Sequence, residues 1–131
     1  MTQIPRKKLS PKAEEDIQKT FYKLVSDLAT EENLKIFFNA FLSKTERIML
    51  AKRFLVLYLL KKGSNIQEIT DSLNITPATI VKLNLKRKLH SRDFSLAFKK
   101  MDQKVLKESL KELAKTLGLK VATRIAKGGR I

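Results

Sequence analysis

The sequence contains no cysteine and a single histidine, His90. The first absence removes disulfides, thiolate-held zinc and thiol catalysis, and the second argues against histidine-built metal sites and serine–histidine–aspartate triads. Glycine is scarce, with four residues, three of them at position 118 or later, so a glycine-rich phosphate loop has nothing to be built from. Long apolar runs are missing as well. The longest, Phe54 to Leu60, is bracketed by Arg53 and Lys61-Lys62, and seven residues fall far short of the roughly 20 that span a bilayer. The basic, proline-interrupted start does not read as a secretory signal, so a cytoplasmic protein without membrane association is expected. Asp16, Asp27 and Asp71 are scattered and offer no carboxylate pair for acid–base work. The residues point to no enzyme, cofactor or metal.

What the chain does have is positive charge and helical patterning. It carries 28 Lys+Arg against 13 Asp+Glu, a net charge of +15, within 131 residues of which 43 % are hydrophobic. That composition supports a real core and a polyanionic partner. The excess is uneven: residues 1–81 hold 13 basic and 9 acidic residues, whereas residues 82–131 hold 15 and 4.

Helices are expected throughout. Ser10-Pro11 followed by Glu14, Glu15 and Asp16 signals a helix start, and Ile17, Phe21, Leu24, Val25 and Leu28 give it one apolar face. Thr30 caps a second helix with Leu34, Phe37, Phe38, Phe41 and Leu42 as its apolar face. Ser43 and Glu46 form a capping box for a third, which closes at Gly63. From Ile48 to Leu60 this third helix is apolar around nearly its whole circumference, so it must be buried on all sides. A homodimer with this helix in its interface meets that demand; wrapping by the first two helices is the alternative. The phenylalanines at 21, 37, 38, 41 and 54 are expected in the core.

Ser64 with Gln67 reads as the start of a short fourth helix on Ile66, Ile69 and Leu73, which ends at Asn74. Thr76-Pro77 opens a fifth, carrying Ile80, Leu83 and one of Leu85 or Leu89. Two helices in about 25 residues with a three- or four-residue turn have the spacing of a helix-turn-helix, placed at about 64–89. A weaker helix spans 90–100, with Phe94, Ala97 and Phe98 as packing residues. An amphipathic one follows on Val105, Leu106, Leu110, Leu113, Ala114 and Leu117, and a basic, mobile tail is expected from Leu119.

Residues 42–89 resemble the Trp-repressor-like family. The resemblance rests on Leu42-Ser43-Lys44-Thr45-Glu46-Arg47, Ala51-Lys52-Arg53, Leu59-Leu60-Lys61-Lys62-Gly63, Ile69 to Leu73, and Ala78-Thr79-Ile80. It implies an all-α fold with a helix-turn-helix domain over 1–90 and N-terminal dimerising helices; nothing of it carries over to residues 91–131, which read from their own composition as a basic helical extension and flexible tail. It also implies an intertwined homodimer on a palindromic operator in double-stranded DNA. The family's corepressor site falls on Arg53, Lys82 and Leu83. Lysine lacks the flat face that stacks on an indole, and Leu83 stands where the family leaves room with glycine, so no tryptophan response is expected.

The family's DNA-contact positions fall on Thr76, Pro77, Ala78, Val81 and Lys82. Ala78 and Val81 suit thymine methyls, which leaves shape and bridging water a share of the specificity. Thr79, Lys82, Lys86 and Arg87 are the phosphate candidates, Lys86 and Arg87 because they sit in a cluster of one sign. The expected function is a sequence-specific transcriptional regulator acting as a repressor. The competing readings are a non-specific or architectural nucleic-acid binder, and an RNA- or protein-binding module using the lysine-rich C-terminal half.

Overall fold

The computed structural model describes residues 8–118. The tail expected from Leu119 lies outside the described residues. Seven helices follow one another, with no strand among the described residues: α1 (Pro11–Leu28), α2 (Glu31–Phe41), α3 (Lys44–Lys61), α4 (Ile66–Leu73), α5 (Pro77–Leu89), α6 (Ser91–Met101) and α7 (Lys104–Leu117). The fold is all-α. Contacts divide the chain into two units after Arg47.

In the first unit the expected caps are in place. Ser10 accepts from the Ala13 N–H at 3.1 Å, and Thr30 accepts from the Asn33 N–H at 3.1 Å. Ser43 and Glu46 bond reciprocally, at 2.8 Å and 3.1 Å. Arg47 donates to the carbonyls of Leu42 at 2.8 Å and Asn39 at 3.2 Å, satisfying oxygens that the end of α2 leaves open. Phe37 lies between Phe38 and Phe41, with ring centroids 5.2 Å and 5.0 Å away, and Phe21 meets Phe41 at 6.0 Å. These rings cluster but are not the closed core expected of them: neither α1 nor α2 holds a buried residue, and Phe41 is exposed.

The second unit holds the core. Leu55, Val56, Tyr58, Leu59 and Leu60 of α3 pack with Ile69 and Leu73 of α4, Ile80 and Leu83 of α5, and Leu110 and Ala114 of α7. The extension after residue 90 thus contributes to the same core as the helix-turn-helix. The expectation of all-round burial for α3 holds only for its second half. Ile48, Met49, Leu50 and Phe54 remain 43 %, 52 %, 56 % and 41 % exposed.

The junction of α3 and α4 differs from the expected Ser64 cap. Gly63, at φ 92°, ends α3 with its N–H on the Leu60 carbonyl, and the Ser64 N–H reaches the Leu59 carbonyl at 3.0 Å. That pair of bonds is a Schellman motif, and it places Ser64 in the closure of α3. The cap of α4 therefore passes to Asn65, which exchanges bonds with Glu68 at 2.8 Å and 3.2 Å in a capping box.

Candidate nucleic-acid interface

α4 and α5 are joined by Asn74, Ile75 and Thr76. A turn this short needs one residue with positive φ, and Asn74 supplies it at φ 54°, ψ 52°, with its N–H on the Thr70 carbonyl. Thr76 is extended and caps α5, and Pro77 occupies the first turn, where its missing N–H costs nothing. The Thr76 and Thr79 hydroxyls lie 3.0 Å apart, so Thr79 has a partner within the turn.

Burial sets the direction in which α5 faces. Ile80 and Leu83 point into the core against α4, which leaves Ala78, Val81, Lys82, Leu85, Lys86 and Leu89 exposed at helical spacing on the opposite side. The core position expected of Leu85 or Leu89 is not found; both are outward, at 58 % and 70 % exposure. Thr76, Pro77 and Ala78 are exposed at the start of α5, where the unsatisfied N–H groups and the positive end of the helix dipole lie. Such an end favours a phosphate.

No acid occurs between Asp71 and Asp93, whereas Lys82, Lys86, Arg87, Lys88 and Arg92 all fall there. Lys82 and Lys86 are exposed and form no ion pair among the described residues. Arg87 is different. It is half-buried, and its Nε and Nη2 donate to the Asn84 side-chain oxygen at 3.2 Å and 3.0 Å. Asn84 was not among the expected site residues, although an i,i+3 polar pair on one helix is the signal that finds it. His90 stands at the helix end with Nδ1 3.2 Å from Asp93, both exposed.

Of the three residues that the resemblance places at the corepressor site, Arg53 and Lys82 are exposed, while Leu83 is buried and built into the core. Among the described residues no cluster of three histidine or acidic side chains could hold a metal ion. No described helix is long and apolar enough to cross a membrane.

Residues 17–102 match the family described as Trp repressor protein. The match begins within α1, takes in the whole helix-turn-helix and ends at Asp102, the C-cap of α6, so α7 lies beyond it. No curated protein and no solved structure gives a match. With well over half of its length matched, and with the helix-turn-helix inside the matched residues, the chain belongs to the Trp repressor protein family of helix-turn-helix DNA-binding regulators.

Proposed function

We propose that this chain is a sequence-specific transcriptional repressor that works in the cytoplasm as a homodimer on palindromic double-stranded DNA, without tryptophan as corepressor. The observation that carries this is the outward face of α5, where Val81, Lys82 and Lys86 are exposed in a stretch free of acid. An apolar reader flanked by free cations fits a major groove: the cations neutralise phosphates and the apolar side chains meet thymine methyls. Thr76, Pro77, Ala78 and Thr79 would stand at the leading end of this helix, and Arg87 would reach a phosphate from the support of Asn84.

The dimer is favoured by the large apolar side chains that each unit leaves in water: Ile17, Leu24, Ile36 and Phe41 in the first, and Ile48, Met49 and Leu50 on α3 in the second. Burying such side chains against a second copy would remove them from water. The lysine alternation on α7 favours the RNA- or protein-binding alternative less, because Glu108 and Glu112 interrupt it and Lys115 pairs with Glu112 at 3.3 Å.

Selection from a random DNA pool with the purified full-length protein tests the proposal. A palindromic consensus with half-sites about one helical turn apart is expected. Recovery of DNA without any consensus would replace the repressor with an architectural binder.

A further inference from the structure

An open groove of about 340 Å³ runs in the second unit between Phe54 of α3, Ala97 and Met101 of α6, and Leu106, Ser109 and Leu113 of α7. Its lining is hydrocarbon almost throughout, and Lys100 supplies methylenes to it, as a lysine does while its ammonium stays in water. Phe54, Ala97, Leu106 and Ser109 are exposed among the described residues, so an apolar wall faces water. Such a wall accepts any hydrocarbon of fitting shape. Position in the chain and sequence pattern therefore decide what covers it.

The nearest candidate is the protein's own chain. α7 ends at Leu117, one turn past Leu113, and Gly118 follows at φ 142°, a backbone conformation that suits glycine and redirects the chain. Residues 119–127, outside the described residues, lie in sequence between Gly118 and the Gly128-Gly129 pair. In this stretch Leu119, Ala122, Ile125 and Ala126 recur at helical spacing, with Val121 one turn before Ile125. Lys120, Arg124 and Lys127 recur on the opposite side, and neither acid nor proline occurs. The pattern is that of a short amphipathic helix with one apolar and one basic face. As a helix the stretch would be about 14 Å long, against about 11 Å of rise between Leu106 and Leu113.

The tether separates this occupant from all free ones. A segment that begins where α7 ends meets the groove at an effective concentration in the millimolar range. A second copy or another protein arrives only at its concentration in solution. The basic face of the stretch would point to water, where salt screens it from the Lys100 ammonium.

We infer that residues 119–127 seat as an amphipathic helix in the groove between α3, α6 and α7 of their own chain, with their apolar face on Phe54, Leu106 and Leu113 and with Lys120, Arg124 and Lys127 turned to solvent. Leu110 also lines the groove and belongs to the core that holds Ile80 and Leu83 of α5. The seated segment therefore bears on the packing that carries the DNA-reading helix.

The chain has no cysteine, so a pair introduced into the full-length protein reads the contact directly. With Ser109→Cys and Ile125→Cys together, mild oxidation should form a disulfide within one chain, since that bond needs Cα atoms within about 7 Å. With Ser109→Cys and Lys127→Cys, the second on the basic face, it should form about tenfold more slowly. That is the equilibrium shift carried by one buried aliphatic side chain. Equal rates for the two pairs overturn the inference. So does a disulfide that joins two chains, which would give the groove to a second copy. Trypsin cleavage after Arg124 is the second measurement. It should quicken about tenfold in Leu119→Ser, and as much in Ala97→Glu, which sets a charge in the groove at an exposed position. Cleavage of the parent as fast as that of either variant also overturns the inference. Both experiments omit DNA, so their outcome is independent of the DNA reading.

Discussion

The Lys62 ammonium lies 2.7 Å from the Asp102 carboxylate, joining the residue after α3 to the C-cap of α6. The lysine side chain is 7 % exposed and the aspartate 43 %, and the same ammonium sits 5.4 Å from the centre of the Tyr58 ring. A nearly buried cation needs an anion, because its lost hydration is otherwise uncompensated.

Asp102→Asn is therefore expected to destabilise the fold by about 2 kcal/mol, between the values for surface and buried pairs, because the aspartate stays partly in water. Urea unfolding measures it. The double variant Lys62→Met with Asp102→Asn should recover most of the loss, since no buried charge remains. A single variant as stable as the parent would show that water already screens this pair.

Tyr58 lies beside that pair, fully buried, and its hydroxyl has no hydrogen-bond partner among the described residues. Burial, and secondarily the Asp102 charge, push its pKa up from 10.0 to about 12. The folded state thus holds the phenolic proton more tightly than the unfolded state does. The resulting stability is fully present below pH 10 and is lost as pH rises towards 12. Tyr58→Phe removes an unsatisfied hydroxyl, so it should raise stability at pH 7 by about 1 kcal/mol and flatten the alkaline limb. Thermal melts from pH 7 to 11 read both, and a steep alkaline limb retained in the variant would refute this.

How much of the fold is legible in the sequence varies from residue to residue. The caps at Ser10, Thr30, Ser43 and Thr76 and the turn at Asn74 follow from local chemistry, and the structure has all five. Ser64 misleads because the backbone bond that closes α3 uses its N–H, and a capping pattern in sequence carries no sign of that prior use. Val81, Leu85 and Leu89 form an apolar row as regular as Ile80 and Leu83. Only the packing of α5 onto the core formed by α3, α4 and α7 selects the second set. The exposed half of α3 is legible as apolar, but not as surface. The apolar groove lined by Phe54, Met101 and Leu113 is not legible at all, since it depends on where α7 lies against α6.

Acid should act on the start of α3. The backbone N–H of Ser43 and then its hydroxyl hold the Glu46 carboxyl below its ordinary pKa of 4.5. Its contribution is present above that value and is lost as pH falls through the lowered folded value. Glu46→Gln should therefore make the melting temperature less sensitive to pH below 4.5 while the box geometry survives, because glutamine also serves at this position. An acid limb unchanged by the substitution would remove Glu46 from the account.

Tryptophan should leave DNA binding unchanged. Leu83, which the resemblance places where the family leaves room for the indole, is buried in the core, and Lys82 offers no planar face. Titrating tryptophan to millimolar concentration against a selected site should shift neither affinity nor melting temperature. A rise in either would require Leu83 to leave the core.

The salt dependence of DNA binding separates the cations of α5 from its apolar reader. Removing one cation that neutralises a phosphate should flatten the slope of log K against log salt by about 0.9. Lys82→Ala and Lys86→Ala should each flatten it by that amount per chain, since both side chains are exposed and unpaired among the described residues. Arg87→Ala should do the same. Asn84→Ala keeps the arginine charge and removes only the two hydrogen bonds that orient it, so the slope should stay and affinity alone should fall. Val81→Ala carries no charge change, so it should relax the base preference at one position and leave the slope intact. If instead Val81→Ala alters the slope, or the lysine variants alter only base preference, α5 does not lie in the groove in the orientation its exposed face implies.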